Sequence, residues 1–193
     1  MGKTLDLNLL LSAYAEGYFP MPEQGTEEID WYFPDPRAVF PLDGFRASRS
    51  LIRSIRKQKF AFSIDKAFSD VMKGCANRED TWINAEFMRA YGELHQKGFA
   101  HSVEVWDSEG KLTGGVYGVS IAGAFFAESK FHVATDASKA ALYHLVRHLQ
   151  AKRFLLLEVQ FMTPHLASLG AVEIPGKRYL EILKRAIQAK TSF

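Results

Sequence analysis

The sequence predicts an α+β protein, in which helices and an antiparallel sheet occupy different stretches of the chain. In the first half, apolar residues recur at positions i, i+3, i+4 and i+7, beginning at Leu7, which is the spacing of a helix. From residue 101 onward, three segments of strand character are separated by short turns. A helix, a strand and a helix follow them. An antiparallel meander followed by these elements is typical of the α+β class.

The elements of the first half follow from this spacing and from the residues that interrupt it. The first helix ends at Gly17, and the stretch from there to Pro41 is rich in proline and aromatic residues. Linkers are seldom so aromatic, so this stretch is predicted to be an ordered, non-repetitive loop. The predicted elements are a helix over 5–16, the loop over 17–41, a short basic helix over 48–58, a strand over 60–64, and helices over 66–76 and 84–97.

The second half begins with the meander. The predicted elements are strands over 101–107, 111–120 and 123–129, a helix over 138–151, a strand over 154–160 and a helix over 177–189. This order suits an acetyltransferase-like fold.

Composition limits the classes of function. The formal net charge of the 193 residues is only +2, so any nucleic-acid site must be a local patch. The single cysteine, Cys75, excludes an internal disulfide and a multi-cysteine metal site, and it fits a reducing compartment. We find no secretory signal and no apolar stretch long enough to span a bilayer. The sequence therefore predicts a cytoplasmic protein without membrane contact.

One local basic patch is present. Six cations and no acid occur between residues 46 and 59, namely Arg46, Arg49, Arg53, Arg56, Lys57 and Lys59. On a helix, Arg49, Arg53 and Arg56 share one face. Such a face can hold a phosphate backbone, although a solvated charged surface would look the same in sequence.

Aromatic side chains form a second pattern. Tyr14, Trp31, Trp82 and Tyr91 flank loops. Flat side chains of this kind stack on single-stranded bases, as at a tRNA 3′ end. Packing in the core is the simpler interpretation of the same residues.

Acidic and amide residues in apolar strands form the third pattern. Glu158 and Gln160 alternate with Leu157 and Val159, and Glu128 ends another apolar strand. Such groups need either ion-pair partners or a substrate, and the sequence leaves both open.

Other chemistries lack their motifs. His144 and His148 lie four residues apart on a helix, but no glutamate follows His144 as a zinc protease motif requires. Cys75 has no base partner that would make it a nucleophile. No phosphate-binding glycine loop is present, and this argues against transfer of an acetyl group from acetyl-CoA.

Taken together, the segments resemble the leucyl/phenylalanyl-tRNA–protein transferases over nearly the whole chain, in a short form. The collinear motifs are Ala13-Tyr14 to Pro20, WYFPDPRAV (31–39), Ser48-Arg49-Ser50, Thr81-Trp82-Ile83, HSVEVW (101–106), GGVYGV (114–119), DASKAAL (136–142) and TPHLASLGAVEI (163–174).

The resemblance implies a small N-terminal lobe over residues 1–62, which carries the aromatic loop and the basic helix, and an acetyltransferase-like domain over 63–193. It also implies transfer of leucine or phenylalanine from aminoacyl-tRNA to the N-terminal Arg or Lys of proteins, without a metal or nucleotide cofactor. We expect the protein to act as a monomer. The resemblance implies catalytic roles for Glu158 and Gln160, which orient and deprotonate the incoming amine, and for Glu128, which helps to hold the aminoacyl end. It assigns the basic patch to the tRNA acceptor stem. It places at the aminoacyl-adenosine end and in its side-chain pocket Tyr14, Met21, Trp82, Tyr91, Val116, Phe125, Lys130, Leu142 and Leu145.

Three residues depart from the family pattern. Glu158 replaces an aspartate, Ala127 replaces a glycine, and Lys130 replaces a methionine of the apolar pocket. A cation in that pocket disfavours a leucyl or phenylalanyl side chain unless it points away along its stem. Two alternatives therefore stay open: the same reaction with another donor or acceptor, and a noncatalytic module that binds aminoacyl-tRNA.

Overall fold

A computed structural model describes residues 4–22, 29–57, 59–78 and 81–193. Its helices are α1 (Leu7–Ala15), α2 (Arg49–Arg56), α3 (Phe68–Ala76), α4 (Ala85–Gln96), α5 (Ala137–Ala151), α6 (Pro164–Ser168) and α7 (Gly176–Ala186). Its strands are β1 (Phe19–Pro22), β2 (Ile29–Tyr32), β3 (Arg37–Phe40), β4 (Ala61–Ile64), β5 (Ala100–Trp106), β6 (Leu112–Ile121), β7 (Ala124–His132), β8 (Leu156–Glu158) and β9 (Val172–Ile174).

Polar side chains fix the starts of four helices. Asp6, Ser48, Asn84 and Thr163 each accept a hydrogen bond from a backbone N–H in the first turn of α1, α2, α4 and α6. These bonds satisfy donors that a helix start otherwise leaves without a partner. The helical spacing of apolar residues then determines which face of each helix is buried.

The main sheet has seven strands in the order β4-β5-β6-β7-β8-β3-β9, and β1 pairs with β2 in a separate two-stranded sheet. β7 and β8 are parallel and are joined through α5, whereas the other neighbours in the main sheet are antiparallel. The α+β class is thus confirmed. The lobe boundary at residue 62 stays a prediction, and β3 from that lobe is a strand of the main sheet.

The two faces of the main sheet carry different cores. Alternation along β7 sends Phe126 to a cluster that also contains Tyr14 and Tyr91, and sends Phe125 to a cluster that contains Leu142 and the other buried residues of α5. The candidate site described below lies at the point in the sheet where the pairing of β7 with β8 ends, between these two clusters.

Several boundaries differ from the sequence prediction. The stretch predicted as a loop over 17–41 contains β1, β2 and β3, which are too short for their alternation to be recognised. The strand predicted over 154–160 is limited to β8, and α6 and β9 were not predicted. The predicted end of the basic helix at residue 58 lies outside the described residues.

Candidate active site

The candidate active site lies where β7 and β8 part. Their parallel pairing ends at Phe126 and Glu158, and β7 continues to His132 without this neighbour. Beyond the last pair is a cavity of about 60 Å³. It is lined by Val116, Ala127, Glu128, Ser129, Lys130, Leu142, Val159 and Leu166. The carboxyl ends of parallel strands are a common place for a binding crevice.

A β-bulge sets the direction of Glu128. Tyr117 of β6 pairs with Ser129, but the next residue, Gly118, pairs with Ala127, so Glu128 is an extra residue in β7. A Cβ at Gly118 would come within 2.1 Å of a carbonyl oxygen of β7. Only glycine therefore permits this close approach of the two strands, and the bulge depends on it.

Three neutral donors surround the Glu128 carboxylate, which is 6% exposed. The Tyr14 hydroxyl donates to Oε1 at 2.6 Å, the Tyr91 hydroxyl donates to Oε2 at 3.2 Å, and the Gln160 side-chain amide donates to Oε2 at 3.1 Å. The two tyrosine hydroxyl oxygens are 2.5 Å apart. Since each hydroxyl has one hydrogen and Tyr14 donates its own to Glu128, Tyr91 donates either to Glu128 or, over the shorter distance, to the Tyr14 oxygen.

Burial raises the pKa of Glu128 to about 8, with a smaller contribution from the charge of Glu158. The hydrogen bonds from Tyr14, Tyr91 and Gln160 work against this rise. Burial also raises the pKa values of Tyr14 and Tyr91, so both remain hydroxyl donors at neutral pH. A carboxyl group with such a pKa can exchange a proton near neutral pH.

The second carboxylate, Glu158, lies behind the cavity in an ion pair. Its Oε1 is 2.9 Å from Nη1 of Arg37, and each side chain is 1% exposed. Nη2 of Arg37 donates to the carbonyl oxygen of Gly17 at 2.5 Å. Burial raises the pKa of Glu158, and the Arg37 charge opposes that rise. Among the described atoms, Oε2 of Glu158 is buried without a hydrogen-bond partner.

Arg37 is a site residue that the sequence analysis did not identify. Its guanidinium lies over three aromatic rings, 5.2 Å from the centre of Phe19, 5.0 Å from Phe33 and 4.4 Å from Tyr179. These contacts add cation–π attraction to the ion pair. A charged residue in the otherwise apolar strand Arg37–Phe40 was the available signal, but nothing in the sequence identified its partner.

Gln160 connects the two carboxylates. Its backbone N–H donates to Oε1 of Glu158 at 2.7 Å, and its side chain donates to Glu128. Its φ of 62° lies in the left-handed region, just beyond the end of β8. This left-handed backbone conformation directs the Gln160 side chain toward Glu128, whereas a continued extended strand would direct the side chain elsewhere.

Of the predicted side-chain pocket, Val116, Lys130 and Leu142 line the cavity together with Glu128. Phe125 and Leu145 lie in the core cluster on the same face of the sheet, outside the described cavity lining. Phe125 packs against Phe193, with ring centres 5.1 Å apart. The structure thus brings only part of the predicted pocket to the cavity.

The predicted adenosine-binding residues lie on the opposite side of the sheet. Met21 and Trp82 are half-buried and pack against the cluster that contains Tyr14 and Tyr91. Trp82 meets the edge of Phe87, with ring centres 5.0 Å apart. Part of each side chain therefore remains available to a ligand.

The basic patch forms a groove on α2. All six cations are exposed, and none has an ion-pair partner among the described residues. The groove has a volume of about 520 Å³ and is lined by Ala47, Arg49, Ile52, Arg53, Arg56 and Lys57. Leu51 is buried on the other side of the helix. The helix is therefore amphipathic, as its spacing predicted.

The two histidines of α5 pack against aromatic rings. His144 stacks on Phe62 with ring centres 4.6 Å apart, and His148 lies 4.4 Å from Phe193. Within the described ranges, no group of three His, Cys, Asp or Glu side chains could hold a metal ion. In the same part of the chain, no helix is both long and apolar enough to cross a bilayer.

Sequence comparison gives matches along the chain. The family model for leucyl/phenylalanyl-tRNA protein transferase matches residues 39–184, and the model for the N-terminal domain of these proteins matches residues 3–35. A leucyl/phenylalanyl-tRNA–protein transferase of Herpetosiphon aurantiacus is 50% identical over the full length of both chains. One of Akkermansia muciniphila is 50% identical over 97% of this chain and 99% of its own.

Solved structures with a similar fold are distant in sequence. FemX has a TM-score of 0.53 at 11% identity, with 92% of this chain and 71% of FemX covered. L-PGS from Bacillus licheniformis has a TM-score of 0.51 at 10% identity, with 79% of this chain and 65% of that chain covered. These likenesses concern the fold alone, and the predicted acetyltransferase-like fold is confirmed.

Proposed function

Because this chain belongs to the leucyl/phenylalanyl-tRNA protein transferase family, we propose that it moves leucine or phenylalanine from a charged tRNA to the N-terminal amino group of a protein that begins with Arg or Lys. The family membership confirms the resemblance that the motifs indicated. The activity, its substrates and the roles of individual residues are our inference for this chain.

The observation that carries the proposal is the environment of Glu128. A buried carboxyl group lines a cavity beside apolar side chains, and its pKa is about 8. The ordinary pKa of a protein α-amino group is about 7.7–8.0. Proton transfer from the incoming α-ammonium to the ionised form of Glu128 is therefore almost balanced in free energy, and this form becomes populated as the pH approaches 8, which favours Glu128 as the general base.

The reaction then needs little further activation, because the aminoacyl ester is already reactive. The α-ammonium loses one proton to Glu128, and the free amine attacks the ester carbonyl carbon. The N–C bond forms, the C–O bond to the ribose 3′ oxygen breaks, and a second proton passes from the nitrogen to that oxygen. Glu128 releases its proton to solvent. The proposal involves no metal or nucleotide cofactor.

Gln160 and the two tyrosines hold the base in place. We assign Tyr14, Tyr91 and Gln160 to orienting Glu128, because each donates a hydrogen bond to it. Glu158 is buried against Arg37 and bonds the backbone of Gln160, so we assign it a positioning role through Gln160. In this arrangement Glu158 acts without touching the substrate.

The tRNA is proposed to lie along the α2 groove. Arg49, Arg53, Arg56 and Lys57 line it without acidic neighbours in its described lining. Cations in this arrangement bind phosphates mainly through charge and release of counterions. The half-buried Met21 and Trp82 are proposed to contact the terminal adenine.

We propose that the protein acts as a monomer in the cytoplasm, without membrane contact. The free thiol of Cys75 is buried and agrees with a reducing compartment. We also retain the division into an N-terminal lobe and a catalytic domain near residue 62 as a proposal.

A transfer assay tests this function. Leucyl-tRNA or phenylalanyl-tRNA is incubated with the protein and a peptide that begins with Arg, and the peptide mass is measured. We expect the mass to increase by one leucine or phenylalanine residue. A peptide with an acetylated N-terminus is the control and should not react.

Two substitutions distinguish the loss of a catalytic group from a general effect of mutation on the protein. Glu128→Gln removes the base and should reduce the rate at least about a hundredfold, whereas the same change at the exposed Glu109 should leave the rate unchanged. An unreactive wild-type protein that still binds charged tRNA would instead support the noncatalytic alternative.

A further inference from the structure

A second cavity, polar and about 500 Å³ in volume, lies beside the candidate active site. This outer cavity is formed by the end of β7, the start of α5 and α6, and its lining consists of Lys130, His132, Val133, Thr135, Asp136, Ser138, Lys139 and His165. Lys130 also lines the 60 Å³ cavity that contains Glu128, so the two spaces are neighbours. None of the roles proposed above occupies the outer cavity.

Positive charge in the outer cavity is only partly compensated. The one acid in its described lining, Asp136, pairs with Lys139 at 2.9 Å. Lys130 is half-buried and has no ion-pair partner in the described part of the chain, and burial lowers the pKa of its amine. Burial also lowers the pKa of His165, and the charges of Lys130, Lys139 and His132 lower it further, so these side chains face one space. An anion in this cavity would compensate a charge that the protein itself leaves unpaired.

The outer cavity also offers neutral hydrogen-bond donors. The buried Ser138 hydroxyl lies 3.3 Å from Nδ1 of His132, and both side chains can donate to an oxyanion. The helix α5 starts at this cavity, and its N-cap residue, Asp136, makes no side-chain cap hydrogen bond. Backbone N–H groups of the first turn are therefore available, and they add to the attraction that the lysines exert on an anion. Lysines together with such donors suit the oxygens of a phosphate group.

The outer cavity is close to the basic patch that begins at Arg46. Tyr143 of α5 packs against Phe45, with ring centres 6.0 Å apart. The backbone N–H of Arg46 donates to the carbonyl oxygen of Leu169 at 2.7 Å, just beyond the end of α6. The two helices that line the outer cavity therefore also border the start of the basic patch. Cationic side chains thus extend from the α2 groove to the cavity beside the candidate active site.

Of the two substrates in the proposed reaction, the tRNA has the charge that fits this cavity. The acceptor protein begins with Arg or Lys, and a basic cavity repels a cationic side chain. Every phosphodiester of the tRNA carries a negative charge. In the terminal adenosine, the base is bound to C1′, the aminoacyl group to the 3′ oxygen and the phosphate to the 5′ oxygen. A ribose beside Glu128 can therefore direct its base toward Trp82 on one face of the sheet and its phosphate toward Lys130 on the other.

We propose that the outer cavity binds the phosphodiester that joins the terminal adenosine of the charged tRNA to the preceding nucleotide. Lys130 and Lys139 supply the charge, Ser138 and the start of α5 donate hydrogen bonds, and the bound phosphate holds the ribose so that the ester carbonyl lies at Glu128. Because the family pattern has methionine at position 130, the contact with Lys130 is a feature of this chain. The inference rests on the proposed function, since it concerns the tRNA that the reaction uses.

Two nucleoside probes isolate the contribution of the phosphate. Both are leucyl amides of 3′-amino-3′-deoxyadenosine, which lack the reactive ester, and one of them carries a methyl phosphate on its 5′ oxygen. Calorimetry measures the affinity of the protein for each probe. We expect the wild-type protein to bind the phosphorylated probe about tenfold more tightly, because charge-assisted hydrogen bonds to the phosphate are added.

Lysine variants locate the phosphate in the outer cavity. Lys130→Met and Lys139→Met each remove one charge from its lining, and we expect the tenfold gain to fall to about threefold in each and to disappear in the double variant. Lys184→Met, at an exposed lysine of α7, is the matched control and should keep the full gain. Arg53→Glu should also keep it, because the α2 groove is proposed to hold another part of the tRNA. Melting temperatures verify that each variant is folded.

Acceptor peptides test the competing occupant, an acidic residue of the acceptor protein. The KM values of two peptides that begin with Arg-Glu and Arg-Gln are compared in the wild-type protein and in Lys139→Met. We expect their ratio to be the same in both proteins. A preference for Arg-Glu that Lys139→Met abolishes would assign the outer cavity to the acceptor and overturn the assignment to the tRNA.

The probe titrations also separate this site from the proposed function. If the wild-type protein transfers no amino acid but binds the phosphorylated probe more tightly, the proposed function fails and the phosphate site stands. Equal affinity of the wild-type protein for the two probes would overturn the phosphate site, whether or not transfer occurs. A gain that the double lysine variant retains would overturn it as well, since the phosphate would then bind elsewhere.

Discussion

Replacement of Glu128 by glutamine is expected to stabilise the protein at alkaline pH while it removes activity. On folding, the pKa of Glu128 rises from 4.5 to about 8 because the carboxyl group is buried. Each pH unit of such a difference corresponds to about 1.36 kcal/mol. Keeping this group ionised in the folded protein therefore costs on the order of 5 kcal/mol.

The sign follows from proton binding. Between pH 4.5 and about 8, the folded protein keeps a proton on Glu128 that the unfolded chain releases. The contribution of this group to stability is full below pH 4.5 and is lost as the pH rises through this window. From pH 5.5 to pH 9, the wild-type protein should lose about 3 kcal/mol that the glutamine variant does not lose.

Urea denaturation at pH 5.5 and at pH 9 measures this difference. We expect the free energy of unfolding of Glu128→Gln minus that of wild type to be about 3 kcal/mol larger at pH 9 than at pH 5.5, which means that the variant is relatively more stable at pH 9. The same change at Glu109, which is exposed in the turn between β5 and β6, is the control. A relative stability of Glu128→Gln that is the same at both pH values would refute the argument, since Glu128 would then ionise alike in the folded and unfolded protein.

Three further predictions concern the groups around Glu128 and the basic groove. Arg37→Met leaves Glu158 buried without its ion-pair partner, so urea denaturation should show a loss of about 3–5 kcal/mol, much of which a second change, Glu158→Gln, should restore. Gln160→Ala removes one of the three donors to Glu128; the pKa read from the pH–rate profile should then rise, whereas a purely structural role would leave that pKa in place. Arg53→Glu should weaken tRNA binding and reduce its salt dependence by about one phosphate contact in filter-binding titrations, and Arg185→Glu on the exposed side of α7 is the control. Equal loss of tRNA affinity in both arginine variants would contradict the α2 groove as the binding surface.

Structural elements that depend only on residues close together in the sequence were predictable. The helix that carries Tyr14, the helix that carries Tyr91 and the basic helix all follow from residue spacing, and their capping residues agree. The alternation of β7 placed Glu128 at the end of an apolar strand. That these three polar side chains meet is a tertiary fact, and only the family resemblance indicated it.

Features that depend on distant partners were not predictable. Arg37 and Glu158 are 121 residues apart, and each alone is an isolated charge in an apolar strand. β1, β2 and β3 have four residues each, too few for a period-two pattern to stand out among prolines and aromatic residues. β8 ends at Glu158 because Gln160 takes a left-handed conformation, which residue types alone do not indicate for glutamine.

The two buried carboxylates differ in what compensates their burial. Glu158 faces a full positive charge on Arg37, which is itself held by aromatic rings, so its surroundings favour a fixed ion pair. Glu128 faces only neutral donors, and these offset the cost of burial in part. Gln160 donates a hydrogen bond to each carboxyl group, so the position of Glu158 restricts the position of Glu128. A fixed ion pair beside a carboxyl group that gains and loses a proton near pH 8 is a division of roles that suits the proposed amide formation.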